Sequence, residues 1–320
     1  MTDLYIISGF LGAGKTTLIQ TMVPAVFQNR KVVVIENDFG DAGIDAELLK
    51  SDDLTVTSLN SGCICCSLTG DFNRAMVQIA EEYKPDVILV EPSGAGRLSD
   101  IIKVCMNRKD IVKICRCITV VDVMNFDKYR ENFGEVFLNQ IQFGDLILLS
   151  HISESAGETE AIMGKIKKLN PEARIEADFW DSIPAEVFRE GPRVYLAETL
   201  QEELKKPIIF NRKIRSGGKG ESAVRPLFRF AREIFSSVTI HCDEILTEAE
   251  LKMRVNHVVG QADGMILRGK GIVKGPNGSI SFHYIPGMLK IASSGGEGNS
   301  VCFIGTGIDE EQIITLFKGE

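Results

Sequence analysis

The sequence has no apolar run near the roughly 18 residues that a membrane-spanning helix needs. It also has no basic region followed by a long apolar segment at its start, where residues 1–3 pass directly into the apolar stretch 4–7. This start predicts the first strand of a fold, not a secretion signal. Positive charge is not in excess either, because the 320 residues carry a net charge of −8. We therefore expect a cytoplasmic protein that binds neither nucleic acid nor membrane.

Histidine is scarce and scattered, with four residues in the whole chain, so the sequence contains no histidine-rich metal reservoir. Cysteine is more common, and without a secretion signal the eight cysteines are expected to stay reduced. Three of them crowd into four positions, Cys63, Cys65 and Cys66, which is typical of metal binding or redox chemistry. The other five resemble ordinary core residues. Of these, Cys115 and Cys117 lie two apart on a predicted strand and should face the same way.

Apolar β-branched runs alternate with amphipathic helical stretches over the first 180 residues. Several runs, such as residues 32–35, are continuously apolar, as expected for strands covered on both faces. This alternation predicts an α/β P-loop NTPase fold with a mostly parallel, doubly wound sheet. The predicted strands are 4–8, 31–36, 54–59, 86–91, 114–122, 145–150 and 174–177. The predicted helices are 15–27, 69–82, 98–107, 132–142 and 155–169.

The pattern changes near residue 200, where the chain becomes rich in glycine, serine and charge. We assign residues 1–200 to the nucleotide-binding domain, 201–224 to a linker and 225–320 to a smaller α+β domain. The predicted strands of the smaller domain are 227–231, 238–241, 264–273, 279–285 and 301–305. Its predicted helices are 247–259 and 309–317, each opened by a capping Thr or Asp.

A glycine-rich segment between the first strand and the first helix matches the pattern G-x-x-x-x-G-K-[ST]. Glycines let the backbone N–H groups of such a loop point at phosphate oxygens, next to the positive end of the following helix. In this pattern the lysine reaches the β- and γ-phosphates and the threonine hydroxyl ligates Mg²⁺. The predicted nucleotide-binding residues are Gly9, Gly12, Ala13, Gly14, Lys15, Thr16 and Thr17, with Thr16 as the Mg²⁺ ligand.

Two acidic residues end predicted strands of the same sheet. Glu91 lies at the carboxyl edge, where open α/β sheets bind ligands, and could order the attacking water or the Mg²⁺ shell. We therefore predict Lys15 and Glu91 as the catalytic residues. Asp122 ends the next strand, and a structural role is as reasonable for it as a functional one.

The three crowded cysteines could bind one soft or borderline metal ion. A structural zinc site usually has four protein ligands, whereas this turn offers at most three thiolates, which suits an ion that is handed on. The acidic segment after the second strand could complete the site, because a phosphate-responsive segment lies at this point of the chain in P-loop proteins. The predicted metal ligands are Glu36, Asp41, Cys63, Cys65 and Cys66. Turn formation by the acids, and core packing or redox chemistry of the thiols, remain alternatives.

Four segments together resemble the CobW-type metallochaperone GTPases, relatives of the nickel-insertion GTPases of urease and hydrogenase. They are SGFLGAGKTT at 8–17, ENDFGDAGID at 36–45, GCICC at 62–66 and EPSG at 91–94. The resemblance continues through VVDV at 120–123, LNPEA at 169–173, and LRGKGIV and FIGTGID in the second domain. It implies GTP hydrolysis coupled to delivery of zinc, cobalt or nickel to a metal-requiring client, and a homodimer. It also implies that the predicted metal ligands form the switch-linked metal site.

The chain departs from this family after the strand that ends at position 149. The family's Asn-Lys-x-Asp, whose aspartate pairs with guanine, is replaced by Ser150, His151, Ile152 and Ser153. A serine cannot offer the two-oxygen acceptor that pairs with both guanine nitrogens. We keep Ser150 and His151 as predicted nucleotide-binding residues and GTP as the first choice, with ATP as the alternative.

The function predicted from these features is that of a nucleotide-driven metal carrier. Nucleotide and Mg²⁺ would fasten the Glu36–Asp41 segment and the cysteine loop together, and hydrolysis would loosen the ion for delivery. One alternative is a P-loop kinase or ATP-dependent activating enzyme acting on a small substrate, which would leave the cysteines idle. A further alternative is a nucleotide-sensing scaffold with a structural metal and negligible hydrolysis.

Overall fold

The computed structural model contains two β-sheets, one built by each half of the chain. It describes residues 1–36, 54–58, 71–153, 157–189, 191, 201–202, 205 and 235–319. The predicted linker 201–224 and the predicted strand 227–231 lie almost wholly outside these residues, so the domain boundaries remain predictions. Among the described residues, no helix combines the length and apolar character needed to cross a membrane.

The first sheet has seven parallel strands in the order β3-β2-β4-β1-β5-β6-β7. The apolar runs β2 and β4 are buried throughout, because helices cover both faces of the sheet. The predicted parallel α/β fold is confirmed. The strands are β1 (Thr2–Gly9), β2 (Val32–Glu36), β3 (Leu54–Ser58), β4 (Val87–Glu91), β5 (Val112–Asp122), β6 (Leu146–Ser150) and β7 (Arg174–Glu176).

Helices flank this sheet at nearly the predicted places. One prediction is wrong at its start: the helix predicted over 132–142 begins at Phe126 and is interrupted at Phe133, where φ is −132°. The predicted stretch is therefore only its second part. The described helices of this half are α1 (Lys15–Val26), α2 (Asp71–Glu82), α3 (Leu98–Met106), α4 (Phe126–Phe143), α5 (Thr159–Leu169) and the short α6 (Ala185–Arg189), with a 3₁₀ turn at Trp180–Ser182.

The prediction that Cys115 and Cys117 face the same way is wrong. The pairing of β1 with β5 shifts register between Leu4 and Tyr5, which pair with Ile114 and Arg116, so Cys115 is the extra residue of a bulge. A bulge reverses the alternation of side chains along a strand. Cys117 therefore enters the core on one face of the sheet, and Cys115 packs against the core on the other.

The second sheet is antiparallel, in the order β11-β10-β9-β12-β8, with two helices on one face. A capping box between Thr247 and Glu250 opens the first of these helices, as the predicted Thr cap requires. Strand β11 was not predicted from the sequence. The elements are β8 (Ser236–His241), α7 (Glu248–Gln261), β9 (Met265–Gly275), β10 (Gly278–Ile285), β11 (Met288–Ser294), β12 (Ser300–Thr306) and α8 (Glu310–Lys318).

An aromatic cluster joins the two sheets. Phe10, inside the glycine-rich segment, has its ring centroid 4.5 Å from Tyr129 and 6.0 Å from Phe235. Phe133, at the interruption of α4, lies 5.2 Å from Phe235. The same buried cluster contains Leu267 of β9 and Ile304 of β12. Burying such side chains removes apolar surface from water on both sides, so it holds the second sheet against the first.

Asn170 is predicted to be a strong determinant of stability. Its amide nitrogen donates to the carbonyls of Ile141, Gln142 and Gly144 at the end of α4, and its oxygen accepts from the N–H of Ala173. Because the carbonyls of Gln142 and Gly144 lose this donor, and that of Ile141 keeps only the N–H of Gly144, Asn170→Ala should lower the free energy of unfolding by about 2–4 kcal/mol. Urea unfolding followed by fluorescence of the single tryptophan measures this change.

Asn132→Ala is the matched control, since the Asn132 amide also donates to a carbonyl of α4, that of Lys128, but on an exposed surface. It should cost less than about 0.5 kcal/mol. Equal losses in the two variants would contradict the role given to Asn170.

Candidate functional site

The glycine-rich segment forms a loop between β1 and α1 that has little room for side chains. Gly9, Gly12 and Gly14 have φ values of +144°, +74° and +102°, which residues with a side chain rarely adopt. A Cβ at Gly9 would lie 2.5 Å from the carbonyl oxygen of Val120, and one at Gly14 would lie 3.0 Å from the Trp180 ring. The loop delivers the chain to Lys15, the first residue of α1, with its N–H groups at the helix N-terminus.

The two polar residues that follow the glycines point toward the sheet edge. The ammonium of Lys15 is buried and donates to the carbonyl of Phe10 at 3.3 Å, which bends the side chain back over the loop. The hydroxyl of Thr16 donates to Glu91, at 3.2 and 3.4 Å from the two carboxylate oxygens. The structure thus brings together three residues that the sequence predicted as phosphate-binding, Mg²⁺-binding and catalytic.

The single tryptophan supports this loop and was not singled out from the sequence. Its ring packs beside Gly14, and its indole N–H donates to the carbonyl of Leu149 at the end of β6, at 3.1 Å. Because this hydrogen bond satisfies the indole N–H, the apolar part of the ring can pack against the loop. Nothing in the sequence pattern connects position 180 with position 14, because only the fold brings them together.

Of the predicted acidic and cysteine ligands, Glu36 is the one that the structure describes, and it lies at the same sheet edge as Glu91. Glu36 is buried at the end of β2 and is in register with Glu91 on β4 and with Ser58 on β3. The other predicted ligands, Asp41, Cys63, Cys65 and Cys66, lie outside the described residues. Within residues that the structure does describe, no group of three or more His, Cys, Asp or Glu side chains could hold a metal ion.

His151 occupies the place of the family's base-recognition motif and has a left-handed backbone, with φ at +57°. Its Nδ1 lies 3.0 Å from Oδ1 of the buried Asp122, as an ion pair when the ring is protonated. The other carboxylate oxygen of Asp122 accepts from the amide of Asn125, which also donates to the carbonyl of Pro286 in the second sheet. Asp122 therefore lies beside His151 and is linked through Asn125 to the turn at Pro286 that follows β10. Ser150 is buried, with its hydroxyl donating to Val121.

These elements surround a cleft of about 330 Å³ between the two sheets. The volume falls within the range of small-molecule sites. The first half of the chain contributes Gly12, Gly14, Lys15, Thr16, Thr17, Gln20, Glu91 and His151. The second half contributes Arg268, Gly269, His283, Tyr284, Ile285, Met288 and Lys290. Burial raises the pKa of Tyr284 above its ordinary value.

A parallel sheet, a glycine loop opening onto a helix and a buried lysine at a cleft define a P-loop nucleotide-binding protein. The comparison with family models gives the same class. Residues 3–176 match the family "CobW/HypB/UreG, nucleotide-binding domain", and residues 235–319 match "Cobalamin synthesis protein cobW C-terminal domain". The chain belongs to the CobW/HypB/UreG family.

Three similar proteins have zinc in their names. The zinc chaperone YjiA of Escherichia coli is 23% identical over 98% of this chain and 97% of its own length. The zinc-regulated GTPase metalloprotein activator 1 of Dictyostelium discoideum is 28% identical over 53% of this chain and 44% of its own length. The zinc chaperone CobW of Sinorhizobium is 37% identical over 37% of this chain and 35% of its own length. The chain thus spans nearly all of one relative and less than half of the other two.

Among solved structures, the Zn(II)-bound YjiA GTPase from E. coli aligns with a TM-score of 0.45 and 20% identity, covering 99% of this chain and 98% of that chain. HypB from Helicobacter pylori, in complex with nickel, aligns with a TM-score of 0.42 and 19% identity, covering 64% of this chain and 90% of that chain.

Gly12→Ala is predicted to disturb the cleft from the loop side. The new methyl group would lie 2.3 Å from Cγ2 of Ile285, and the β-branched side chain of Ile285 has few other rotamers to adopt. The positive φ of residue 12 adds strain of about 1–2 kcal/mol. We expect weaker binding of nucleotide and a lower unfolding midpoint. Both can be measured by nucleotide titration and thermal unfolding.

The double variant Gly12→Ala with Ile285→Ala separates the clash from the backbone strain. The second substitution removes the clashing atom. The double variant should therefore lose less nucleotide affinity and less thermal stability than the sum of the losses in the two single variants, as a double-mutant cycle measures. Strictly additive effects would mean that Gly12 and Ile285 do not contact each other.

Proposed function

We propose that the chain is a GTP-hydrolysing metallochaperone whose nucleotide state controls how firmly it holds a transition-metal ion, with zinc as the first candidate. The observation that carries the proposal is the sheet edge where Thr16 contacts Glu91 and where Glu36 is in register with Glu91. This arrangement places Glu91, the partner of the predicted Mg²⁺ ligand Thr16, and the predicted metal ligand Glu36 on neighbouring strands. The names of the relatives support zinc as the cargo.

The hydrolytic part of the proposal rests on the groups around Thr16. Because its hydroxyl proton points to Glu91, the lone pairs of its oxygen are available to a cation. Thr16 would hold Mg²⁺ together with the phosphates, and this ion would neutralise charge that develops on them. Lys15 would leave the Phe10 carbonyl to bind phosphate, and Glu91 would orient Thr16 and the attacking water.

The metal part of the proposal rests on covalent geometry. Ser58 ends β3 in register with Glu36, and neighbouring strands are about 4.8 Å apart. Only five residue steps separate Ser58 from Cys63, a span of at most about 18 Å. The chain therefore limits how far Cys63 can lie from the edge that contains Glu91, and Asp41 follows Glu36 by five positions. In this proposal, a change at the phosphates would reach the thiolates through the two segments that begin at this edge.

GTP is the proposed substrate because of the family. His151 lines the cleft where the family's guanine-binding motif would lie, and Ser153, at the place of the motif's aspartate, cannot pair with both guanine nitrogens. ATP use remains the alternative. The proposed partner is a metal-requiring client protein, recognised by the second domain, and we also propose a homodimer in the cytoplasm.

The test is a zinc titration of the wild type and of Cys65→Ser, each with and without a non-hydrolysable GTP analogue. We expect the wild type to bind zinc more tightly with nucleotide, and Cys65→Ser to lose both the affinity and its dependence on nucleotide. Equal affinity in all four conditions would eliminate metal handling and leave an ordinary nucleotide hydrolase.

Thiol alkylation gives a second prediction with controls inside the chain. Burial raises the pKa of Cys105 to about 12, and burial and Asp3 raise the pKa of Cys115 to about 11, so few thiolates form at these sites at neutral pH. Zinc should protect Cys63, Cys65 and Cys66 from iodoacetamide and should not change the slow reaction of the other five cysteines. Mass spectrometry of digested protein measures each site. Protection of all eight alike would indicate a change in folding, not ligation.

Glu91→Gln should keep nucleotide bound and slow its hydrolysis by about 100-fold or more, because the amide can still accept from Thr16 but cannot act as a base. Single-turnover hydrolysis, measured beside binding of the same nucleotide, checks this. Asp110→Asn is the control, since Asp110 is exposed and pairs with Arg108 away from the cleft. Hydrolysis at the wild-type rate in Glu91→Gln would remove Glu91 from the chemistry.

A further inference from the structure

The cleft is rich in positive charge although the protein as a whole is acidic. Its described lining contains the cations Lys15, Arg268 and Lys290 and the carboxylate of Glu91, whereas the chain has a net charge of −8. Low-dielectric walls strengthen the field of charges that line a cleft. The ligand that such a lining favours is a compact polyanion.

A bulge in the second sheet aims one of these cations at the cleft. The pairing of β12 with β9 shifts register: Ile304 pairs with Arg268, but Gly305 pairs with Ile266. Leu267 is the extra residue, so Leu267 and Arg268 both point toward the first sheet. Leu267 enters the aromatic cluster beside Phe10, and Arg268 reaches the cleft lining. Bulges commonly redirect a side chain in this way beside functional sites.

Two other basic side chains of this face are aligned across the strands. His283 on β10 pairs with Lys290 on β11, and both line the cleft. Phe282, the neighbour of His283, points to the opposite face and packs in the core beneath α7 and α8. The sheet therefore has one face that packs on its own helices and an opposite face, here called the basic face, that carries these basic side chains beside apolar residues such as Leu267 toward the glycine loop.

Direct contacts fix this basic face at the loop. Ile285 of β10 packs on Gly12, where a Cβ would also lie 4.0 Å from the carbonyl oxygen of Leu267. The carbonyl of Pro286 accepts from Asn125 at 3.1 Å. The residue next to Arg268 is thus in contact distance of the loop that would bind phosphates.

We propose that Arg268 and Lys290 bind the phosphate chain of the nucleoside triphosphate from the side opposite the glycine loop, so that the second domain completes the phosphate site. The inference rests on the proposed nucleotide-binding function and extends it to residues 268 and 290. Arg268 offers a planar fork of donors that matches phosphate oxygens, and Lys290 adds a mobile point charge. The second domain thereby senses the number of phosphates on the bound nucleotide.

The experiment measures how affinity depends on phosphate number. GTPγS, GDP and GMP compete with a fluorescent GDP analogue for the wild type, Arg268→Ala, Lys290→Ala and Arg268→Lys. We expect each alanine variant to bind GTPγS about 10- to 100-fold more weakly and to show a smaller step in affinity from GMP to GTPγS. Arg268→Lys should recover part of the loss. A purely structural role would instead weaken all three nucleotides alike.

Lys252→Ala is the matched control. Lys252 is exposed on α7, which packs on the face of the sheet away from the cleft, so the same loss of charge should leave all three affinities unchanged. Lys290 is exposed on the edge strand β11, so we expect the Lys290→Ala variant to fold as the wild type does.

The outcomes distinguish this inference from the proposed function. If both alanine variants keep the wild-type dependence on phosphate number while Lys15→Ala loses binding, the role of the second domain is wrong and the nucleotide site stands. If the wild type itself binds none of the nucleotides, both proposals fail.

Discussion

The contact between the glycine loop and the second sheet is the constraint on which the site depends. Phe10 is buried among aromatic side chains from both halves of the chain, and Gly12 lies against Ile285. Loop residues usually face solvent or ligand, whereas this loop is also part of the core between the sheets. The shape of the phosphate site and the position of the second domain are therefore linked, because neither can shift without disturbing the same packed contacts.

Under the proposed function, this linkage would be the physical basis for communication between the nucleotide and the metal cargo. One end of the route is Thr16 on Glu91, and the neighbouring strand ends at Glu36, from which the chain runs on to Asp41. The strands β2, β3 and β4 are in register, so they define the spacing of Glu36 and Glu91. The proposed nucleotide-dependent step would then need a rearrangement of the segments attached to this edge, not a movement of the sheet.

Much of the first half could be predicted from the sequence because its signals are local. Continuous apolar strands, their alternation with helices and the spacing of Gly9 to Thr16 depend on near neighbours in the chain, and the structure agrees with them. Errors occurred where distant contacts override local preference. The bulge at Cys115 depends on how β1 pairs with β5, and the early start of α4 at Phe126 on aromatic packing with the second sheet.

The sequence by itself determined that this chain has a phosphate loop, a carboxylate at the end of a buried strand and a crowded set of thiols, because each is written in consecutive residues. Only the tertiary structure decided that Trp180 supports the loop, that Asp122 lies beside His151, and that Arg268 and Lys290 line the same cleft. These residues are far apart in the chain. Long-range packing and strand register bring them together, and neither the packing nor the register can be predicted from short-range sequence periodicity.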